Sequence, residues 1–117
     1  MLTRMPEPTA ADRILSAVRA LPAGQVCSYG GIARRAGLPG RARLVARVLG
    51  QNEDPRLPWH RVLRADGRIA MPKDSAGYLE QARRLRAEGV EVRDGRVRLP
   101  PAEEGMDAAL WGPPGGL

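Results

Sequence analysis

Two side chains of this chain could do nucleophilic or acid–base chemistry near neutral pH: the thiol of Cys27 and the imidazole of His60, each the only one of its kind. A thiolate acts as a nucleophile when a neighbouring base takes its proton, so the fold would have to bring positions 27 and 60 together. One Cys and one His also fall short of the three or four protein ligands of an ordinary zinc site. The sequence therefore implies neither a metal nor another cofactor. The plainer reading of Cys27 is a small apolar residue in a core. A single Cys excludes a disulfide within the chain and fits a reducing compartment. His60 lies in the run Pro58-Trp59-His60-Arg61-Val62, beside an indole that cannot ionise.

What the sequence does supply is cation. There are 19 Lys+Arg against 13 Asp+Glu, a formal net charge of +6. Eighteen of the 19 are Arg, with Lys73 alone, and Arg presents a planar fork of donors suited to phosphate and to base edges. Nine Arg and three acids fall between Arg34 and Arg68, whereas Pro100 to Leu117 holds three acids and no cation. A basic body with an acidic end points to a polyanion as partner of the body, although a basic run is often only a solvated face. Met1 to Ala10 has no apolar signal-peptide core, and no stretch approaches the ~20 apolar residues of a membrane span. The expectation is a soluble cytoplasmic protein, nucleoid-associated if bacterial, with no membrane partner.

These groups must be carried by few elements, because 117 residues leave room for one domain with a modest core. There is no Phe, so aliphatic side chains must fill it. Thr9 and Asp12 have capping-box spacing, and Ile14, Leu15, Val18 and Leu21 form one apolar helical face ended by Pro22 and Gly24. Val26-Cys27 reads as a short extended piece. Ser28 is a suitable N-cap for a helix over Tyr29 to Ala36, with Gly37 at its C′ position. Gly30 and Gly31 weaken that helix by roughly 1 kcal/mol each relative to Ala and could permit close approach of another backbone. A third helix is predicted over Arg41 to Gln51, with Leu44, Val45, Val48 and Leu49 inward and Arg41, Arg43 and Arg47 largely on other faces. Two short helices joined by a Gly-containing turn, the second rich in Arg, read as a helix-turn-helix. Asp66-Gly67 and Asp94-Gly95 predict two small hairpins, the second a possible wing. Between them Tyr78 to Glu88 reads as a helix with Leu79, Ala82 and Leu85 inward.

Five segments together resemble the O6-alkylguanine-DNA alkyltransferase family. Ser28-Tyr29-Gly30-Gly31-Ile32-Ala33 is similar to the start of its helix-turn-helix, and Arg43 within Arg41-Ala42-Arg43-Leu44-Val45 falls on its recognition-helix motif. Asn52 matches the Asn that ends this helix, and Pro58-Trp59-His60-Arg61-Val62 resembles the active-site string Pro-Cys-His-Arg-Val. Ala87-Glu88-Gly89 resembles the Glu-Gly pair linked to the active-site His. The resemblance covers about Arg13 to Leu99 and corresponds to the C-terminal domain of the active enzymes, without their separate N-terminal domain. The position of the alkyl-accepting Cys is held by Trp59, which cannot form a thiolate. The chain thus looks like an alkyltransferase-like protein, a relative that keeps lesion binding and has lost the chemistry.

The resemblance implies a mainly α fold with small β hairpins, winged helix-turn-helix-like. It implies a domain over 10–99 between a flexible start (1–9) and a disordered, Pro/Gly-rich acidic tail (100–117). It assigns Tyr29, Pro55, Pro58, Trp59, His60 and Val62 to a lesion pocket, and Tyr29, Arg41, Ala42, Arg43 and Arg47 to DNA. Arg43 is expected to enter the duplex as a finger while the damaged nucleotide is flipped out, and Tyr29 to press on its phosphate. Asn52, His60 and Glu88 are expected to form a structural hydrogen-bonded network. Met71-Pro72-Lys73 departs from the hydroxyl residues that active enzymes place near the guanine oxygen, a change that could widen the pocket. The implied function is a non-enzymatic, monomeric sensor of O6-alkylguanine in duplex DNA that flags the lesion for nucleotide excision repair proteins. The rivals are a helix-turn-helix transcription regulator, a general DNA-binding module whose pocket Trp59 has closed, and a true alkyltransferase using Cys27.

Overall fold

The computed structural model describes residues 7–100. The expected acidic tail with Trp111, and the first six residues of the expected flexible start, lie outside the described residues. Helix α1 spans Ala10–Arg19, β1 is Cys27–Ser28, α2 is Tyr29–Arg35 and α3 is Ala42–Gly50. A single 3₁₀ turn, Trp59–Arg61, leads into β2, Val62–Leu63, and α4 spans Ala76–Ala87.

The local signals act as their chemistry requires. Thr9 and Asp12 form the reciprocal capping box of α1. Ser28 caps α2 by accepting from the Gly31 N–H at 2.9 Å. Helix α2 ends in a Schellman motif: Gly37, at φ +76°, bonds to the Arg34 carbonyl, and Leu38 bonds to Ala33. Gly89 closes α4 in the same way, with Val90 bonded to Leu85. The start of α4 lies two residues before the expected one, because Ser75 accepts from the Tyr78 N–H and caps it there.

Two cores stand on either side of the short sheet. Ile14, Val18, Leu21, Ile32, Val45 and Val48 from the first three helices pack with Leu57, Cys27 and Val62. Ala82 and Leu85 of α4 pack with Val26, Leu63, Ile69, Val92, Val97 and Leu99. Strands β1 and β2 pair in parallel with Cys27 opposite Val62 and Ser28 opposite Leu63. Side chains alternate across a strand, so Cys27 and Val62 enter one core while their neighbours Val26 and Leu63 enter the other.

Three expectations are corrected by the packing. The sheet is parallel and joins positions far apart in sequence, where antiparallel hairpins were expected. Both Asp-Gly turns form, but with no regular strands: Arg64 N–H to Arg68 O and Gly67 N–H to Arg64 O close the first, the isolated pair Arg93 with Arg96 closes the second, and the isolated pair Arg68 with Arg96 joins them. Asp94 (φ 52°) and Gly95 (φ 73°) are both left-handed, the geometry of a two-residue I′ turn. Leu79, expected inward, is 55% exposed, since α4 buries Gln81, Ala82 and Leu85 instead.

The two turns lock together through Val97 N–H to Gly67 O and Ile69 N–H to Gly95 O, both 2.9 Å. Gly67 has φ +84°, and a Cβ there would collide with the Val97 carbonyl. Gly67→Ala is expected to cost at least about 2 kcal/mol, combining left-handed strain with loss of that contact. Thermal unfolding checks this, and an unchanged midpoint would contradict it.

Candidate nucleic-acid interface

Helices α2 and α3, with the turn between them, pack on α1 and form the expected helix-turn-helix. The buried residues of α3 are Val45 and Val48, with Leu44 and Leu49 half-buried beside them. Arg41, Arg43 and Arg47 are therefore exposed. Arg43 and Arg47 are one turn apart on a face. Ala46 and Gly50 complete that exposed face at i+3 and i+7 from Arg43. They leave it low enough for close approach to a groove, a role expected only of Ala42. Ala42 is half-buried at the helix start. Several other Arg side chains are paired with acids: Arg83 and Arg84 with Glu80, Arg93 with Glu91, Arg56 with Asp54, Arg61 with Glu88. Arg41, Arg43 and Arg47 have no acidic partner among the described residues. Unneutralised cations on one exposed helix face form the electrostatic footprint of an anion-binding surface.

Tyr29 opens α2, half-buried against the first core, and burial pushes its phenol above the ordinary value. Among the described residues, only side-chain atoms of Arg34 and Ser28 lie within 4 Å of a Cβ placed at Gly30.

The loop 52–58 is organised by Asn52, whose side chain accepts from the Asp54 N–H and donates to the Asp54 carbonyl. This corrects the expected network. Among the described residues the Asn52 side chain bonds only within its own loop, and the group that joins His60 and Glu88 is Arg61. The Glu88 carboxylate faces His60 Nε2 at 2.8 Å and accepts from Arg61 Nε at 3.0 Å and Nη2 at 2.6 Å. It also accepts from the Gly24 N–H at 3.0 Å, while Arg61 Nη1 donates to the Leu21 carbonyl at 2.6 Å. Bidentate pairing with Arg61 is the main cause that holds the Glu88 carboxyl down at about 2, helped by the Gly24 N–H and by His60 and opposed by burial. The knot ties the end of α1 to the end of α4. Its missed members, Arg61, Leu21 and Gly24, carried no sequence signal beyond the proximity of Arg61 to His60.

In the neutral ring, a carboxylate at Nε2 makes that nitrogen the N–H donor and leaves Nδ1 as an acceptor. His60 Nδ1 is buried with no hydrogen-bond partner among the described residues. Gln81, also missed, donates to the carbonyls of both His60 and Val62 at 3.0 Å and fixes the 3₁₀ turn to α4. Trp59 is half-buried against the first core, edge-on to the His60 ring at a centroid distance of 6.1 Å. Pro58 immediately precedes the turn and is half-buried, Pro55 is exposed, and the Val62 side chain lies wholly within the core. Val62 therefore supports the site from beneath and does not line it. Two clefts lie around Tyr78 and the 91–99 turn, and none of Tyr29, Pro55, Pro58, Trp59, His60 or Val62 lines either. Cys27 is fully buried in β1.

No group of three or more His, Cys, Asp or Glu among the described residues could hold a metal ion. No helix among them is long and apolar enough to cross a membrane.

A family model described as the DNA-binding domain of 6-O-methylguanine DNA methyltransferase matches residues 9–90. The chain is 38% identical over 89 residues to a DNA base-flipping protein of Vibrio parahaemolyticus, covering 74% of this chain and 87% of that one. It is 40% identical over 81 residues to alkyltransferase-like protein 1 of Schizosaccharomyces pombe, covering 68% and 75% of the two chains. Among solved structures, S. pombe Atl1 in complex with damaged DNA containing O6-carboxymethylguanine superposes with a TM-score of 0.69 at 33% identity. The match covers 93% of this chain and all of that one. Mycobacterium tuberculosis OGT in complex with DNA superposes at 0.59 and 32% identity, over 67% of this chain and 48% of that one.

Proposed function

The chain belongs to the family of the 6-O-methylguanine DNA methyltransferase DNA-binding domain, and from that membership we propose that it is a non-enzymatic sensor of O6-alkylguanine in duplex DNA. The observation that carries this reading is the pairing of an unneutralised Arg face on α3 with Trp59 in the site of the family's transferring Cys. The first supplies phosphate and base-stack contacts; the second removes the nucleophile, and the only thiol is buried.

In this reading α3 enters the minor groove, where readout is largely limited to A·T against G·C and a lesion in any sequence can be met. Arg43 fills the gap left by the flipped nucleotide, and Tyr29 faces its phosphate. Arg41 and Arg47 contact the backbone, and Ala42 and Ala46 permit the close fit. Trp59 offers a flat, polarizable face to the flipped base, with Pro55 and Pro58 shaping the approach and His60 behind. A buried acceptor without a partner costs about 1–3 kcal/mol, so a base donor or ordered water reaching His60 Nδ1 would stabilise the occupied pocket. The relatives named a base-flipping protein and bound to O6-carboxymethylguanine DNA support the same reading. A protein that binds the lesion without removing it must pass it on, and nucleotide excision repair is the proposed recipient. The sensor is taken to be a cytoplasmic or nucleoid-associated monomer, its domain spanning residues 10–99.

The test is binding to two duplexes that differ only by O6-methylguanine in place of guanine, followed by the intact mass of the protein. Binding at least tenfold tighter to the lesion, with no methyl added to the protein, is expected. Equal affinity would favour a general DNA-binding module in which Trp59 closes the pocket. A methyl on Cys27 would establish an alkyltransferase.

A further inference from the structure

Arg84 lies on α4 with its guanidinium carbon 5.5 Å from the centre of the Trp59 ring. Its Nε donates to Glu80 Oε2 at 2.6 Å. Its two amino groups, Nη1 and Nη2, donate to nothing among the described residues. Glu80 is shared, for Arg83 Nη2 also donates to it at 2.7 Å, so two cations meet one anion and the group retains a positive charge. A guanidinium held over an indole ring and bonded through Nε to a carboxylate has its orientation set before any ligand arrives.

Resting on the reading that Trp59 faces the flipped base, we propose that Arg84 is the specificity-determining residue for the substituent on O6. Its open fork selects substituents that end in a carboxylate over apolar ones of the same size. The reason is geometric as well as electrostatic. Two adjacent N–H groups in one plane match the two oxygens of a carboxylate, and α4 fixes that plane beside the residue that receives the base. Neither Asn52 nor His60 can do this, since one is used within its loop and the other is bound to Glu88.

The experiment measures binding at fixed salt to duplexes carrying O6-carboxymethylguanine, its apolar isostere O6-isobutylguanine, O6-methylguanine or guanine. The native chain, Arg84→Met and Arg84→Lys are compared. The ratio of carboxymethyl to isobutyl affinity is expected to fall about tenfold in Arg84→Met, as loss of a charged hydrogen-bonded pair implies, and to be partly restored by Arg84→Lys. Arg84→Met keeps the apolar stem, and it should still prefer O6-methylguanine to guanine. An unchanged ratio with that preference intact would overturn the role of Arg84 and leave the sensor reading standing. Loss of that preference in the native chain itself would overturn both.

Discussion

Glu88→Gln is expected to lower the unfolding free energy by about 3–5 kcal/mol, the range for breaking a buried, hydrogen-bonded ion pair by removing one partner. Both Arg61 and Glu88 are only 15% exposed, and the carboxylate is bonded to Arg61, to His60 and to the Gly24 N–H. Gln preserves the shape but leaves the guanidinium charge uncompensated. The pH dependence gives an independent check. The Glu88 carboxyl is depressed from 4.5 to about 2 in the fold. Its contribution of roughly 3 kcal/mol is therefore fully present above pH 4.5 and is lost as the pH falls towards 2. Denaturant unfolding from pH 7 to pH 2 should show a gap between native and variant that is constant above pH 5 and closes below it. A gap under 1 kcal/mol at pH 7, or one that ignores pH, would mean that the knot does not hold the two cores together.

Arg43→Ala is expected to weaken binding to lesion-containing duplex by about 100-fold, roughly 3 kcal/mol, while leaving the unfolding midpoint unchanged. The second half follows from exposure: Arg43 stands off a face whose buried residues are Val45 and Val48, and it has no partner to abandon among the described residues. The first follows from the cost of holding a nucleotide out of the stack, a few kcal/mol that an inserted side chain offsets. Arg47→Ala serves as the contrast. A phosphate contact should weaken binding to damaged and undamaged DNA alike and reduce the salt slope by about one. If Arg43→Ala behaved as Arg47→Ala does, with the same loss on both duplexes, Arg43 would be a backbone contact and not a finger.

Most of the helical frame is legible in the order of the residues. Thr9 with Asp12, Ser28, Gly37 and Gly89 are caps whose chemistry acts within a turn, so spacing alone locates them. The apolar faces of α1 and α3 likewise follow from periodicity, and with them the exposure of Arg43 and Arg47. Leu79 shows where periodicity fails. Its helix carries Gln81 into the interior because two carbonyls, of His60 and Val62, wait there for a donor. Nothing in the spacing of α4 announces those carbonyls.

The sequence by itself determined the class of chemistry. With one thiol, one imidazole and Trp59 between Pro58 and His60, it fell short of the ligands of an ordinary zinc site and pointed to recognition by Arg. The local order of caps and faces determined which cations would be exposed. Tertiary structure alone decided which of them would be free, since ion pairing depends on whether an acid arrives from elsewhere in the fold. It brought Glu88 to Arg61 and Glu80 to Arg84, and it left α3 without an acidic partner among the described residues. It also paired Cys27–Ser28 in parallel with Val62–Leu63, which no local turn signal announces, and left the Asp-Gly turns without regular strands. Pairing between distant segments is selected by the cores they bury, and here it lets each strand feed two cores at once.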